Sequence, residues 1–370
     1  MSDIVVSAAA CRTSGTLTIY KQFLSHLPDH IGANRYYIFV DETMPAPRIG
    51  GVDSIFVDVR GWVKRIVFDF WECEKYVRYM GCNPSLVISL QNTGLRPFRK
   101  GRQMIYYHQP LPLFPERWNP FKRRERMLFF YKTFYPAFVR SSFAQDRVRF
   151  IAQIPFIKEG IIKRFGVPQD RVDVQFPDTE TTSFSVEAPC ESDGLYHFFY
   201  PAIGVEYKRH ATLVRAMKYF RYLNPDLSRL VRFHFTLAKN YSAPWTEEIE
   251  RDGMSENFVF HGTIPHEQLM VQMAKSRGLL FPSTIESLGL PLLEAASLGL
   301  PIVASDLDYV HQVLGSYEGV SYVGAYDYEG WANCIAQLCN DHRISYPPLV
   351  AQTTSSWDDF FKMIDGEIII

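Results

Sequence analysis

Residues 278–306, GLLFPSTIESLGLPLLEAASLGLPIVASD, allow few folds. An apolar strand over Gly278–Phe281 gives way to a polar turn, then to a helix starting at Pro291, then to a second apolar strand over Pro301–Ala304. Proline suits the first helical position because its missing N–H would be unbonded there anyway. Gly289, just before it, lets the backbone bend closely around a ligand. A strand, a helix and a strand in that order belong to a parallel sheet. The free amides at such a helix start face the positive end of the helix dipole and favour an anion. Glu286 and Glu294, with seven residues between them, flank that anion site, one before the helix and one in its first turns. A phosphate cradle with acids beside it points to a phosphorylated donor and a group bonded to it.

The same alternation runs through the rest of the chain. Strands are expected at Ile4–Ala9, Tyr36–Val40, Ser54–Asp58, Ser85–Leu90 and Met104–Tyr107. A helix with an apolar stripe at Leu17, Tyr20, Phe23, Leu24 and Leu27 ends at Pro28, and another covers Trp62–Met80. Ligands bind beyond the carboxyl ends of parallel strands. The loops at Thr13–Thr16, Gln91–Gly94 and His108–Leu111 are therefore expected on one rim. A second α/β pattern places strands at His197–Pro201, Arg232–Leu237 and Phe258–Phe260, and helices at 210–223 and 267–276. At 370 residues the chain is too long for one ordinary core, so two domains are expected. The polar stretch 177–194 is the expected linker between a first domain over 1–176 and a second over 195–345. Trp357, Phe360 and Phe361 lie on a terminal helix within 346–370 that can pack back on the first domain.

Composition excludes several classes. The hydrophobic content of 47% and charged content of 21% are those of a soluble globular protein. The formal net charge of −1 gives no global sign of nucleic-acid binding. Six scattered cysteines without a CxxC pair favour reduced thiols over a disulfide or zinc framework. The start MSDIVVSAAACRTSG lacks the basic flank and long apolar core of a signal peptide, and no apolar run reaches the length of a membrane span. No GxGxxG follows the first strand, which argues against a dehydrogenase.

The pattern PSxxESxGLPxLEAxxxGxPxVASD, running from Pro282 to Asp306, resembles the donor-binding segment of the retaining group 1 glycosyltransferases. FFYPAIGVEYKRHATLVRAM at 198–217 is similar to that family's strand–loop–helix carrying a phosphate lysine, here Lys208. FVFHGTIPHEQL at 258–269 is similar to the segment where the nucleobase sits, and IYYHQPLPLF at 105–114 to the first-domain loop whose histidine, here His108, faces the transferred sugar. The resemblance implies the GT-B fold, an α/β class with two Rossmann-like parallel-sheet domains facing a cleft. It implies Glu294 on the ribose hydroxyls and Glu286 on the donor sugar or the cationic transition state. It also implies Lys208, with Arg209 as a backup cation, balancing charge on the departing diphosphate. Ser287, Leu288, Gly289 and Leu290, with Gly15 in the first domain, would supply backbone amides to the oxyanion environment. His108 would bond a sugar hydroxyl or act as a base. His261 reads as structural. The implied co-substrate is a UDP- or GDP-linked sugar, with no metal and no other cofactor. Two positions depart from the family: Val205 stands where an arginine is common, and Ser14-Gly15 where many members have two glycines.

Between Arg96 and Arg149 there are thirteen Lys and Arg but three Asp and Glu. Basic residues beside Trp118, Phe121, Phe129, Phe130 and Tyr131 suit an anionic bilayer surface, with a solvated basic face over core aromatics as the plain alternative. The expected function is a retaining, metal-independent hexosyltransferase acting in cell-surface polysaccharide synthesis, such as lipopolysaccharide or capsule. It would use a glycan or polyprenyl-diphosphate-linked acceptor and work at the cytoplasmic face of a membrane, with no nucleic-acid partner. A soluble acceptor and a catalytically silent partner subunit are the alternatives.

Overall fold

The computed structural model describes residues 2–12, 14–178, 193–341, 345–349 and 356–369. They form two units, one of the described residues up to Asp178 together with the tail 356–369, the other from 193 to 349. Most of the expected linker, residues 179–192, lies outside the described residues, as do 350–355 of the terminal segment.

The first unit runs β1 (Asp3–Ser7), α1 (Ser14–His30), β2 (Arg35–Asp41), β3 (Val52–Val57), α2 (Trp62–Val67), α3 (Cys73–Tyr79), β4 (Pro84–Ser89), β5 (Gln103–Tyr107), α4 (Arg126–Ser141), β6 (Val148–Ala152), α5 (Pro155–Phe165) and β7 (Val172–Val174). Its seven described strands are parallel, in the order β3-β2-β1-β4-β5-β6-β7. Successive side chains of a strand point to opposite faces. Ile4, Val6, Ile38, Val40 and Ile88 accordingly join one core layer, and Val5, Phe39 and Val87 the other. The strand order reverses between β1 and β4, so the loops beyond those strands border a crevice.

Three local expectations change. The loop expected at Thr13–Thr16 is already helix from Ser14, so Gly15 lies in the first turn of α1. Pro28 sits inside the last turn of α1, where it leaves the Leu24 carbonyl without its usual i+4 donor, and does not end the helix. The single helix expected over 62–80 is interrupted by a π turn at Phe68–Glu72, which carries Asp69 into the interior. The chain beyond Tyr107 also proves regular, through α4, β6, α5 and β7. Aromatic residues all round α4 blur its period in the sequence.

The second unit runs β8 (Tyr196–Tyr200), α6 (His210–Leu223), α7 (Pro225–Ser228), β9 (Val231–Phe235), α8 (Pro244–Arg251), β10 (Phe258–Phe260), α9 (His266–Ala274), β11 (Gly278–Phe281), α10 (Leu290–Ser297), β12 (Ile302–Ser305), α11 (Asp308–Leu314), β13 (Val320–Val323) and α12 (Tyr328–Asn340). Its six described strands are parallel, in the order β10-β9-β8-β11-β12-β13, with the reversal between β8 and β11. The chain then returns to the first unit. Trp357, Phe360, Phe361 and Ile364 of α13 (Ser356–Ile369) are buried with Phe23 and Leu27 of α1 and with the strands beneath. No described helix is long and apolar enough to cross a membrane.

Candidate functional site

The turn from β11 into α10 gathers most of the residues singled out in the second unit. Gly289 takes the left-handed conformation, φ 77°, and caps α10, with Leu290 and Pro291 opening the helix. A β-carbon at Gly289 would stand 3.1 Å from Leu292 Cδ1 and 3.6 Å from the Phe281 ring, so the turn is tight as well as left-handed. Among the described residues no acceptor takes the backbone N–H of Ser287, Leu288, Gly289 or Leu290. Four unbonded amides at a helix start form an anion nest.

Lys208 reaches this nest from the loop after β8. Its Nζ donates to Glu286 Oε1, and each side chain is 14% exposed. The same Nζ stands 6.0 Å from the centre of the Phe281 ring, which closes β11. Residues with no obvious signal in the sequence set up this meeting. Thr284 donates to Tyr207 O through its N–H, at 2.9 Å, and through its hydroxyl, at 3.2 Å. The Tyr200 hydroxyl donates to Lys208 O, and the Tyr309 hydroxyl donates to Ser283 O at 2.7 Å. These bonds tie the two loops on either side of the strand reversal into one piece. A lysine and a carboxylate this close and this shielded attract strongly, yet each loses hydration. An incoming anion on the amides would share the lysine and relieve that cost.

The other residues of the second unit are spread more widely. Glu294, on α10, accepts from His266 Nε2 at 2.8 Å, and its second oxygen has no hydrogen-bond partner among the described residues. That oxygen can accept from a hydroxyl. His266 opens α9 and was not anticipated, although its place after Pro265 at a helix start was visible. Arg209, itself left-handed at φ 54°, lays its guanidinium 4.3 Å from the Tyr326 ring centre and donates to the Tyr326 hydroxyl. It therefore stands apart from the Lys208–Glu286 pair. Val205 caps the short turn Glu206–Lys208. Gly204, before it, lies directly under Tyr241, whose hydroxyl donates to Gly204 O. His210 stacks on Trp245 with rings 6° from parallel, and burial pulls its pKa down to about 3, so it serves as neutral core.

His108 and Gly15 belong to the first unit. Gly15 is in the opening turn of α1, with open space where a side chain would stand. His108 follows β5, and its N–H donates to Asn92 Oδ1 at 2.6 Å. Both ring nitrogens of His108 are shut off from solvent and lack a partner among the described residues. Burial, then the charge of Arg65, pulls its pKa down to about 4, which makes it a neutral imidazole at ordinary pH. Beside it is a polar network that the sequence did not reveal. Arg65 Nε donates to Asp69 Oδ2 at 2.6 Å, and Thr93 Oγ1 donates to the same oxygen at 2.9 Å. Gln91 Nε2 donates to Ser7 Oγ, and its Oε1 accepts from Ala10 N at 2.9 Å. Burial raises the Asp69 pKa against the opposing charge of Arg65. The network ties together the ends of β1 and β4, where a ligand of this unit would sit.

The basic aromatic stretch divides in two. Trp118 is buried, and Lys132 is partly buried, with its pKa lowered by that burial. Phe121, Met127, Phe130, Tyr131 and Phe134 are exposed, the last four sharing one face of α4. Arg123, Arg124, Arg126 and Arg140 are exposed as well.

Residues 191–347 match the family model described as glycosyl transferases group 1. The O-antigen chain mannosyltransferase RfbU of Salmonella typhimurium is 20% identical over 182 residues, which is 49% of this chain and 48% of that protein. The chain spans about half the length of the curated relatives it matches. WaaG, a glycosyltransferase involved in lipopolysaccharide biosynthesis, superposes with a TM-score of 0.66 at 14% identity, covering 91% of this chain and 90% of WaaG. Anabaena HepE in complex with UDP and glucose gives 0.62 at 14% identity, covering 92% and 90%. Likeness at this identity shows the fold, which is GT-B.

Proposed function

From the premise that the chain belongs to the group 1 glycosyltransferases by way of its second unit, we propose that it moves a hexose from a nucleoside diphosphate sugar, with retention, onto a growing glycan. The observation that carries this reading is the meeting of Lys208 and Glu286 beside four unbonded amides. The amides and Lys208 would hold the diphosphate and balance its growing charge as the sugar leaves. Glu286 would pass from Lys208 to the donor sugar, and the free oxygen of Glu294 would take a ribose hydroxyl. The diphosphate itself would accept the proton of the attacking hydroxyl on the same face of the sugar. Arg209 remains a second cation near this rim, and His108 and Gly15 enter as neutral groups of the acceptor-side unit. The relative RfbU acts on an O-antigen chain, which supports a cell-surface glycan or a polyprenyl-diphosphate-linked acceptor.

The test is product analysis by mass spectrometry with UDP-, GDP- and dTDP-sugars and a lipid-linked acceptor, followed by NMR of the new anomer. Transfer with the donor's anomeric configuration is expected; an inverted product would sink the mechanism. A second reading, a silent partner subunit, draws on Val205 in place of a second diphosphate cation. It expects no nucleoside diphosphate to raise the melting temperature, whereas binding to a working site raises it by mass action.

The exposed aromatic face of α4 supports work at the inner surface of a membrane. Exposed apolar side chains in a stretch rich in exposed arginines suit an anionic interface, where each basic residue adds about 1 kcal/mol. The protein should sediment with vesicles containing phosphatidylglycerol and not with neutral ones. The double variant Phe130→Glu, Phe134→Glu should lose at least about tenfold in that binding. A wild-type chain that ignores anionic vesicles would remove the membrane from this account.

A further inference from the structure

The second unit carries a row of hydrogen-bonded imidazoles that the transfer chemistry leaves unused. Asp193 Oδ2 lies 3.1 Å from His197 Nε2, His197 Nδ1 2.8 Å from His234 Nε2, and His234 Nδ1 2.8 Å from His261 Nε2. The three rings come from β8, β9 and the residue after β10, and Phe199 stacks on the inner two. The row begins near the amino end of β8 and ends at the carboxyl rim of the sheet.

Its proton order follows from one end. A carboxylate only accepts, so His197 must carry its hydrogen on Nε2, and in a neutral ring Nδ1 is then an acceptor. His234 must therefore donate from Nε2 and accept at Nδ1, and His261 must do the same. The last atom, Nδ1 of His261, is left as a lone pair with no partner among the described residues, and it is not sealed from solvent. Bonds from Leu195 N–H and His197 hold the Asp193 carboxyl below the ordinary range, which keeps it anionic. Burial, then the neighbouring His197, His261 and Arg232, pulls His234 down to about 3, and burial lowers His261, so charge on the inner rings is opposed.

His261 stands one residue past β10, at the carboxyl rim of the second unit's sheet. Its N–H donates to Phe235 O at 2.9 Å, and five residues on, His266 opens α9 and holds Glu294. Resting on the donor-site reading above, in which Glu294 takes the ribose, we propose that His261 is a specificity-determining residue. Its Nδ1 accepts the ring imide N–H of uracil, thymine or guanine, and Asp193, His197 and His234 position that lone pair. Adenine and cytosine offer no such ring N–H. A proton taken up at His261 Nδ1 itself removes that lone pair and repels the imide, and burial, which lowers the His261 pKa, keeps the atom bare until the pH falls.

Calorimetric titration of the full chain with UDP, GDP, ADP and CDP tests this. At about pH 8 the wild type should prefer UDP or GDP over ADP and CDP by about tenfold, and the preference should fall as the pH falls. His261→Phe, which keeps the stack, should level the four, and Asp193→Asn should weaken the preference. Two-bond nitrogen–proton NMR of the wild type should find all three rings protonated at Nε2. A preference unchanged in His261→Phe, or an Nδ1-protonated His261 at that pH, overturns the inference and leaves the donor site standing. If none of the four nucleotides binds, the donor-site reading falls, and this inference with it.

Discussion

Lys208→Ala should cut sugar transfer by about 10²–10³-fold and abolish the stabilisation of the chain by nucleoside diphosphates. Removing one preorganised charge from a transition state commonly costs that much. Here the charge is well shielded: both partners of the Lys208–Glu286 pair are 14% exposed, so little solvent screens what Lys208 does. The variant also leaves Glu286 without its cation, and some destabilisation is expected from that alone. The double variant Lys208→Ala, Glu286→Ala separates the two effects. If Lys208 served only to neutralise Glu286, the double variant would recover stability and would again be stabilised by nucleoside diphosphates, which Glu286 does not hold. The expected outcome is recovered stability with no stabilisation by nucleoside diphosphates. Melting curves with and without UDP or GDP, beside initial rates, read both quantities. Near-normal transfer by Lys208→Ala would end the charge-balancing role.

Trp357→Ala should destabilise the first unit by about 3–5 kcal/mol, the range for truncating a large buried aromatic. Trp357 is fully enclosed, its ring near-parallel to Tyr106 at 5.8 Å and edge-on to Phe360 at 5.1 Å. Its Nε1 donates to Gln22 Oε1 at 3.0 Å, and the same oxygen accepts from Asp178 N at 3.1 Å. The substitution therefore opens a cavity and strips a donor from a buried amide that anchors Asp178. Trp62→Ala, at an exposed position on α2, should stay within about 0.5 kcal/mol of the parent. Denaturant titration of the three proteins checks the contrast. A loss below about 1 kcal/mol in Trp357→Ala would mean that the terminal helix is not part of the core as described.

Much of the architecture was legible because its signals are local. The strand ending at Phe281, the glycine–proline turn and the helix beyond it lie within twenty residues of one another, and turn chemistry and periodicity act at that range. Strand ends drifted by a residue or two, as at β1, where pairing with β2 and β4 stops at Ser7. The π turn at Phe68–Glu72 was not legible, because nothing in a helical period marks the place where Asp69 must turn inward to meet Arg65 and Thr93. The basic aromatic stretch was legible only in part: Trp118 and Phe130 look alike in sequence, yet one is buried and the other exposed.

By itself the amino-acid order determined the alternation of strands and helices, the two parallel sheets and the bent amide-rich turn before α10. Each follows from side-chain period, backbone freedom at glycine and the missing N–H of proline, all of which act between near neighbours. Tertiary structure alone decided that Lys208 meets Glu286 across 78 residues, that Trp357 meets Gln22 across 335, and that His197, His234 and His261 stand in one row. In a parallel sheet, neighbouring strands are separated in sequence by whole crossover helices. Which side chains face one another is therefore set by packing and register, and no local pattern records it.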